Sequence, residues 1–264
     1  MLDRPLIAFD IETVPDPDFG RRVMGFEGDN AAVIEAMTRQ RLEETEGKTQ
    51  YPSAPLHRIV TIAVARLEPD TGRFELRALG GEAWDEKSHL EGFAGLLEDA
   101  SRPPRLVSWN GNGFDLPVIR YRAMLHGVPM PALYRTDGEW KWNNYQGRYH
   151  DLHVDLMDVL AGYGASRWVG LGRMCELLGL PGKEFIEGEV YENILRGDEE
   201  LVREYCKLDV VSTMLVFLKW LVHRGDIEAE RLGELVSHIH AGLAAESFEG
   251  WREVAEGLES WPRV

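Results

Sequence analysis

Two carboxylates lie one residue apart near the start of the chain, in the segment PLIAFDIETVPD. Asp10 and Glu12 follow an apolar run typical of a buried strand, where side chains two residues apart point to the same face. Adjacent negative charges repel each other, and a divalent cation between them is the usual remedy. The pair therefore indicates a metal site, although a strand end leading into a turn at Pro15 and Pro17 would show the same residues.

A third carboxylate follows a later strand-like segment. Asp115 comes after the strand pattern RLVSWN and the glycine-rich GNG, where a helix is predicted to begin. An Asp at this position is also a common helix cap, because the helix dipole favours negative charge there. Asn110 in the same bend is typical of a turn, and Phe114 is typical of a core residue.

The fourth carboxylate lies on a long predicted helix, residues 198–224. Tyr205 and Asp209 are four residues apart and therefore share one helix face. Asp209 borders the apolar stripe, so we expect it to be partly buried, which is unfavourable unless it is paired or bound to a metal. A hydrogen-bonded Tyr–Asp pair with a purely structural role is the alternative.

The order and spacing of these segments resemble a known superfamily. FDIET, WNGNGFDLPVI and YCKLDVVST look like the three motifs of the DEDD 3′–5′ exonucleases, as found in the proofreading domain of family B DNA polymerases. The histidine branch of that superfamily would place a His at the position of Glu204, whereas Tyr205 fits the tyrosine branch. ELLGLPGK and the helix that follows are similar to a bacterial stand-alone family related to that domain. The resemblance spans roughly residues 5–222.

The resemblance implies a metal-dependent hydrolase acting on single-stranded nucleic-acid 3′ ends and releasing nucleoside 5′-monophosphates. It implies that two ions, Mg²⁺ or Mn²⁺, are held by Asp10, Glu12, Asp115 and Asp209. Tyr205 would orient the attacking water, since a phenol with a pKa near 10 is a poor base at neutral pH. A tight zinc site is not expected, because these ligands include no Cys or His.

Substrate contacts are predicted in two places. By resemblance, Thr13 and Asn110 are expected near the terminal nucleotide, and Phe114 is predicted as a further substrate contact. The segment EWKWNNYQGRYH interleaves aromatic and cationic residues, a pattern that suits stacking on single-stranded bases through Trp140 and Trp142. A partly buried surface loop would have the same composition.

Composition limits the protein classes. The chain has 264 residues and a formal net charge of −16, which argues against a broad basic surface that coats nucleic acid. Residues 226–264 carry nine Asp/Glu against three Lys/Arg (−6), and residues 116–150 carry five Lys/Arg against two Asp/Glu (+3), so a polyanion would meet the second segment. The two cysteines, Cys175 and Cys206, favour a reducing cytoplasm. No apolar run approaches the roughly 20 residues of a membrane span.

The element pattern predicts an α/β domain. Strands are predicted at 5–12, 58–68, 73–79 and 105–110, with a fifth at 153–160 running into a helix. The resemblance implies a ribonuclease H-like fold with a mixed five-stranded sheet flanked by helices over residues 1–225. A helical excursion is expected near 20–56, with a helix over 30–47. Residues 226–264 are predicted to be a helical, acidic appendage packed on this domain.

Two other functions fit the same residues. One is a non-catalytic nucleic-acid-binding or adaptor module of the same fold, and the other is a phosphodiesterase acting on short nucleotides. The sequence itself does not separate DNA from RNA, and the resemblance favours DNA. Protein partners and oligomeric state are left open.

Overall fold

A single mixed sheet organises the chain in the computed structural model, which describes residues 1–80, 85–98, 102–181, 193–194 and 196–261. Its order is β3-β2-β1-β4-β5. The strands are β1 (Leu6–Pro15), β2 (His57–Leu67), β3 (Phe74–Ala78), β4 (Arg105–Ser108) and β5 (His153–Asp155). Strands β1, β2 and β3 are antiparallel neighbours, whereas β4 and β5 run parallel to β1. The predicted mixed five-stranded sheet is confirmed.

Ten α-helices lie within the described ranges. They are α1 (Pro17–Met24), α2 (Asn30–Glu44), α3 (Glu86–Leu96), α4 (Asp115–His126), α5 (Pro131–Tyr134), α6 (Leu156–Leu160), α7 (Leu171–Leu178), α8 (Glu199–Arg224), α9 (Ala229–Leu243) and α10 (Gly250–Ser260). Short 3₁₀ turns occur at Ala54–Leu56 and Gly138–Lys141. The helix predicted over 30–47 ends three residues early, because Glu46 and Gly47 both adopt left-handed backbone angles.

Helices cover both faces of the sheet, so β1 is buried on both sides. Its odd-numbered residues, including Ile7 and Phe9, belong to a core shared with α3 and α4. Its even-numbered residues Leu6 and Ala8 belong to a second core, shared with α8, α9 and α10. The strand period of two therefore turns Asp10 and Glu12 towards α8, which carries Tyr205 and Asp209.

Helix α8 is buried around most of its circumference between the sheet and the C-terminal helices. Its central residues fill the second core, and they include Val210, Val211, Met214, Leu215, Phe217 and Leu218. Such a helix has no freedom to rotate or slide without opening a cavity. The packing therefore fixes the position of its polar residues beside the middle of β1.

Two helices of the acidic C-terminal segment, α9 and α10, pack on the same core. The buried stripe on α9 consists of Leu232, Leu235, Val236, Ile239 and Leu243. Polar contacts add to it, because Glu204 on α8 accepts hydrogen bonds from Lys207 Nζ and from the indole N–H of Trp251 on α10. Along the described ranges, no helix is both long and apolar enough to cross a membrane.

Candidate active site

Four carboxylates from three elements converge beside the middle of β1. Burial raises the pKa of Asp10 well above its usual range, and the negative charges of Asp115, Asp209 and Glu12 raise it further. Burial likewise raises the pKa of Glu12, with further contributions from Asp209 and Asp115. Each carboxylate therefore lies within electrostatic reach of the others. Such a concentration of buried negative charge is unfavourable unless protons or cations neutralise it.

Asp115 is the first residue of α4 and is only 4 % exposed. Burial raises its pKa to about 7, although the nearby backbone N–H groups of Asp115 itself and of Ile11 favour the ionised form. The charge of Asp155 raises the pKa as well. A cation at this point would favour the ionised form and lower the pKa again.

The turn before α4 is a tight bend that depends on two special residues. Asn110 adopts a left-handed backbone with φ of 68°, and its carbonyl accepts the N–H groups of Gly113 (2.9 Å) and Phe114 (3.0 Å). Gly111 has no room for a side chain, because a Cβ there would overlap the hydroxyl of Ser108. The structure thus places Asn110 as the turn former. Its contact with the terminal nucleotide stays a prediction.

Asp155 holds this turn in place, a role that the sequence analysis did not identify. Its two carboxylate oxygens accept the N–H groups of Asn110 and Asn112, each at 2.9 Å, and one of them also accepts the N–H of Asp158 at 3.3 Å. Asp155 is 4 % exposed and ends β5, the strand next to β4. Its position at a strand end before a helix was the only signal available in the sequence.

Tyr205 and Asp209 lie together on α8, as their spacing predicted. The negative charge of Asp209 is the main cause that raises the pKa of the Tyr205 phenol, followed by burial and by the charges of Glu12 and Asp10. The phenol therefore keeps its proton at neutral pH. This agrees with a role in orienting a water molecule and disagrees with a role as a base.

Cys206 is a further residue of the site that sequence reasoning missed. Its Sγ lies 3.4 Å from the backbone oxygen and 3.5 Å from Oδ2 of Asp10. Ligand-capable atoms of Asp10, Glu12 and Cys206 all lie within 4.8 Å of one another. Burial raises the pKa of the thiol well above its usual range, so it carries its proton in this arrangement. The structure thus brings a thiol next to the predicted carboxylate ligands, which the sequence analysis did not expect.

Thr61 contributes a buried hydroxyl beside these carboxylates. It pairs directly with Glu12 across the β1–β2 ladder, so the two side chains lie on the same face of the sheet. Thr61 is 0 % exposed, and its Oγ1 has no hydrogen-bond partner among the described residues. Buried unpaired hydroxyls are unfavourable. The carboxylates and this hydroxyl together form a donor set that fits a bound cation with its water ligands.

Thr13, His57 and Phe114 form a cluster next to the carboxylates, after a β-bulge between Glu12 and Thr13. The Pro52 carbonyl accepts from His57 Nε2 at 3.1 Å, so Nδ1 is the acceptor for the Thr13 hydroxyl at 2.8 Å. The His57 ring meets Phe114 edge-on, with centroids 5.0 Å apart. Two of the predicted substrate contacts, Thr13 and Phe114, thus lie in one small polar–aromatic surface.

The two tryptophans predicted to stack on bases occupy different environments. Trp140 is 7 % exposed, and its ring packs in the core against Tyr145 with centroids 5.8 Å apart. The stacking role predicted for Trp140 does not fit this burial, because the ring lacks a free face. Trp142 is 77 % exposed, and Lys141 Nζ lies 5.0 Å from its ring centroid. Its exposure keeps the predicted contact possible for Trp142.

Comparison with known proteins identifies the family. A family model described as a predicted 3′–5′ exonuclease related to the exonuclease domain of PolB matches residues 49–260. The matched region contains Asp115, Tyr205 and Asp209, whereas Asp10 and Glu12 precede it. No curated protein matches the chain. The match covers most of the sequence, and the chain belongs to this family of predicted 3′–5′ exonucleases.

Proposed function

We propose that the chain is a metal-dependent 3′–5′ exonuclease that hydrolyses phosphodiester bonds at single-stranded 3′ ends, with DNA as the favoured substrate. The observation that carries this proposal is the convergence of Asp10, Glu12, Asp115 and Asp209 from β1, α4 and α8. Membership of a family of predicted 3′–5′ exonucleases supports the direction of cleavage. The products would be nucleoside 5′-monophosphates.

Two ions, Mg²⁺ or Mn²⁺, fit the oxygen ligands of this cluster. Asp10, Glu12 and Asp209 would hold the first ion, while Asp10 and Asp115 would hold the second. When bound, a pair of such ions lowers the pKa of a water molecule and stabilises the attacking and leaving oxygens of a phosphodiester. The raised pKa values of the unliganded carboxylates would then return to the ordinary range.

The other residues of the site would position the substrate. Tyr205, with its phenol protonated, donates a hydrogen bond that orients the attacking water. Thr13 and Phe114, braced by His57, present a polar–aromatic surface to the terminal nucleotide. Trp142 provides an exposed ring on which a base further along the strand can stack.

The proposal is tested with 5′-labelled single-stranded DNA and RNA of one sequence, incubated with Mg²⁺, Mn²⁺ or EDTA. We expect a ladder that shortens from the 3′ end one nucleotide at a time, that is absent with EDTA, and that runs faster on DNA. The variant Asp10→Ala/Glu12→Ala, checked for folding by circular dichroism, should show no turnover. Full activity in this folded variant would refute the mechanism.

The same assay separates the two other functions. A band shift without degradation under both ions would identify a binding module. Equal rates on dinucleotides and on long strands would identify a phosphodiesterase for short substrates.

A further inference from the structure

The carboxylate site also contains a sulfur atom that can bind a metal, the Sγ of Cys206. We call Asp10, Glu12 and Cys206 the thiol–carboxylate cluster, because their ligand-capable atoms lie within 4.8 Å of one another. Cys206 is 0 % exposed and follows Tyr205 on α8, so its Sγ is held by the packing of that helix. Mg²⁺ and Mn²⁺ prefer oxygen, whereas Zn²⁺ and Cd²⁺ also bind sulfur tightly.

The spacing of sulfur and oxygen matches the requirement of a tetrahedral zinc site. With a Zn–S bond of about 2.3 Å and a Zn–O bond of about 2.1 Å, the two ligand atoms lie about 3.6 Å apart at the tetrahedral angle. The distance between Cys206 Sγ and Asp10 Oδ2 is 3.5 Å. A thiophilic ion therefore needs little rearrangement of β1 or α8 to bind both atoms.

A second observation, on the neighbouring strand, also points to a missing polar partner beside Glu12. The Thr61 hydroxyl is fully buried, lies on the face of the sheet that carries Glu12, and has no hydrogen-bond partner in the described parts of the chain. A water molecule on a bound ion, or a carboxylate reoriented by the ion, would give this hydroxyl a partner. Thr61 thus offers an unsatisfied polar group on the face of the sheet that carries Glu12.

We propose that the thiol–carboxylate cluster is a binding site for thiophilic divalent ions, Zn²⁺ or Cd²⁺, with Cys206 Sγ and the carboxylates of Asp10 and Glu12 as ligands. The thiol proton leaves to solvent as the ion binds. A consequence, which rests on the proposed function, is inhibition, because the thiophilic ion occupies two carboxylates needed by Mg²⁺ or Mn²⁺. The site then discriminates between metals through a single sulfur atom.

The test is a titration of the full chain with Cd²⁺, followed through the ultraviolet charge-transfer absorbance of a cadmium–thiolate bond. The wild type should develop this band at one ion per chain. Cys206→Ser should not develop it, and Cys175→Ser should, because Cys175 is the other buried cysteine outside any disulfide. Absence of the band from the wild type, or its persistence in Cys206→Ser, would overturn the proposal.

Two further measurements guard against a misfolded variant. Asp10→Asn keeps the thiol and should weaken Cd²⁺ binding by about tenfold or more. Circular dichroism and urea unfolding should show that Cys206→Ser is folded like Cys175→Ser, so that loss of the band reports the sulfur ligand. Unchanged Cd²⁺ affinity in folded Asp10→Asn would contradict the carboxylate ligand of the proposed site.

Inhibition is measured separately as the Zn²⁺ concentration that halves Mn²⁺-dependent degradation of labelled DNA. Cys206→Ser should require about tenfold more Zn²⁺ than the wild type or Cys175→Ser. If no preparation degrades nucleic acid, the proposed function fails while the Cd²⁺ titration still decides the metal site. Equal inhibition of all three proteins would contradict the regulatory consequence.

Discussion

Replacement of Asp155 by Asn should loosen the turn that positions Asp115. The carboxylate of Asp155 accepts three backbone N–H groups, from Asn110, Asn112 and Asp158, at 2.9, 2.9 and 3.3 Å. Asn keeps one acceptor oxygen and turns an NH₂ group towards a backbone donor, so at least one charge-assisted bond is lost. Such a bond contributes about 1.5–3 kcal/mol.

Burial offsets part of that contribution, since it raises the pKa of Asp155 despite these hydrogen bonds. We therefore expect Asp155→Asn to lower the free energy of unfolding by about 2 kcal/mol. The measurement is urea unfolding at neutral pH, followed by circular dichroism. The rate on labelled DNA, measured under conditions where the variant is folded, should fall as well, because Asp115 follows directly from the turn.

Asp151→Asn is the matched control, because Asp151 lies four residues earlier and its side chain is exposed. This change should alter the free energy of unfolding by less than about 0.5 kcal/mol. The reasoning would be refuted if Asp155→Asn were as stable as the wild type, or if both variants lost the same amount.

Three other tests concern residues that position or surround the site. His153 is buried with a pKa lowered to about 3, so below pH 6.5 the unfolded chain takes up a proton that the native state does not. This group should therefore lower the free energy of unfolding by about 2 kcal/mol between pH 7 and pH 5. Urea unfolding of His153→Gln at the two pH values should lack this loss. Gly111→Ala should cost about 1–3 kcal/mol in the same assay through overlap with a buried serine, whereas Gly95→Ala, in open space on α3, should be neutral or stabilising. Trp142→Ala should raise the KM for single-stranded DNA without loss of stability, because its ring is exposed. Trp140→Ala should lose about 3–5 kcal/mol of stability, because its ring is buried. Equal stability of the two variants would contradict these environments.

Local periodicity was enough to predict the strands and the longest helix, whereas the mixed five-stranded sheet was implied by the family resemblance. The apolar run before Asp10 and the β-branched residues of β2 predicted strands that the structure contains. The structure extends β1 to Pro15, beyond the predicted end at residue 12, because β2 pairs with it over this whole length. The alternation of strand faces also indicated correctly that Asp10 and Glu12 share one side.

Contacts between segments that are distant in the chain could not be predicted from the sequence. Cys206 stands in an apolar helical pattern, which is equally typical of a core thiol, and only the approach of α8 to β1 brings its sulfur to Asp10. Asp155 meets the turn at Asn110 because β5 lies beside β4, 45 residues away in the chain. Trp140 lies in a segment without helix or strand periodicity, so nothing in the sequence indicated which of its aromatic rings is buried. Lys183, the last residue of the ELLGLPGK segment noted above, lies outside the described residues.

The most direct test of the converging carboxylates is to count the Mn²⁺ ions that the folded chain binds. Paramagnetic resonance in the presence of a nucleoside 5′-monophosphate should show about two ions per chain for the wild type. Asp10→Asn, which removes the carboxylate proposed to serve both ions, should lose tight binding of both while keeping its fold. Absence of tight Mn²⁺ binding in the wild type, or unchanged binding in Asp10→Asn, would contradict the proposed metal centre.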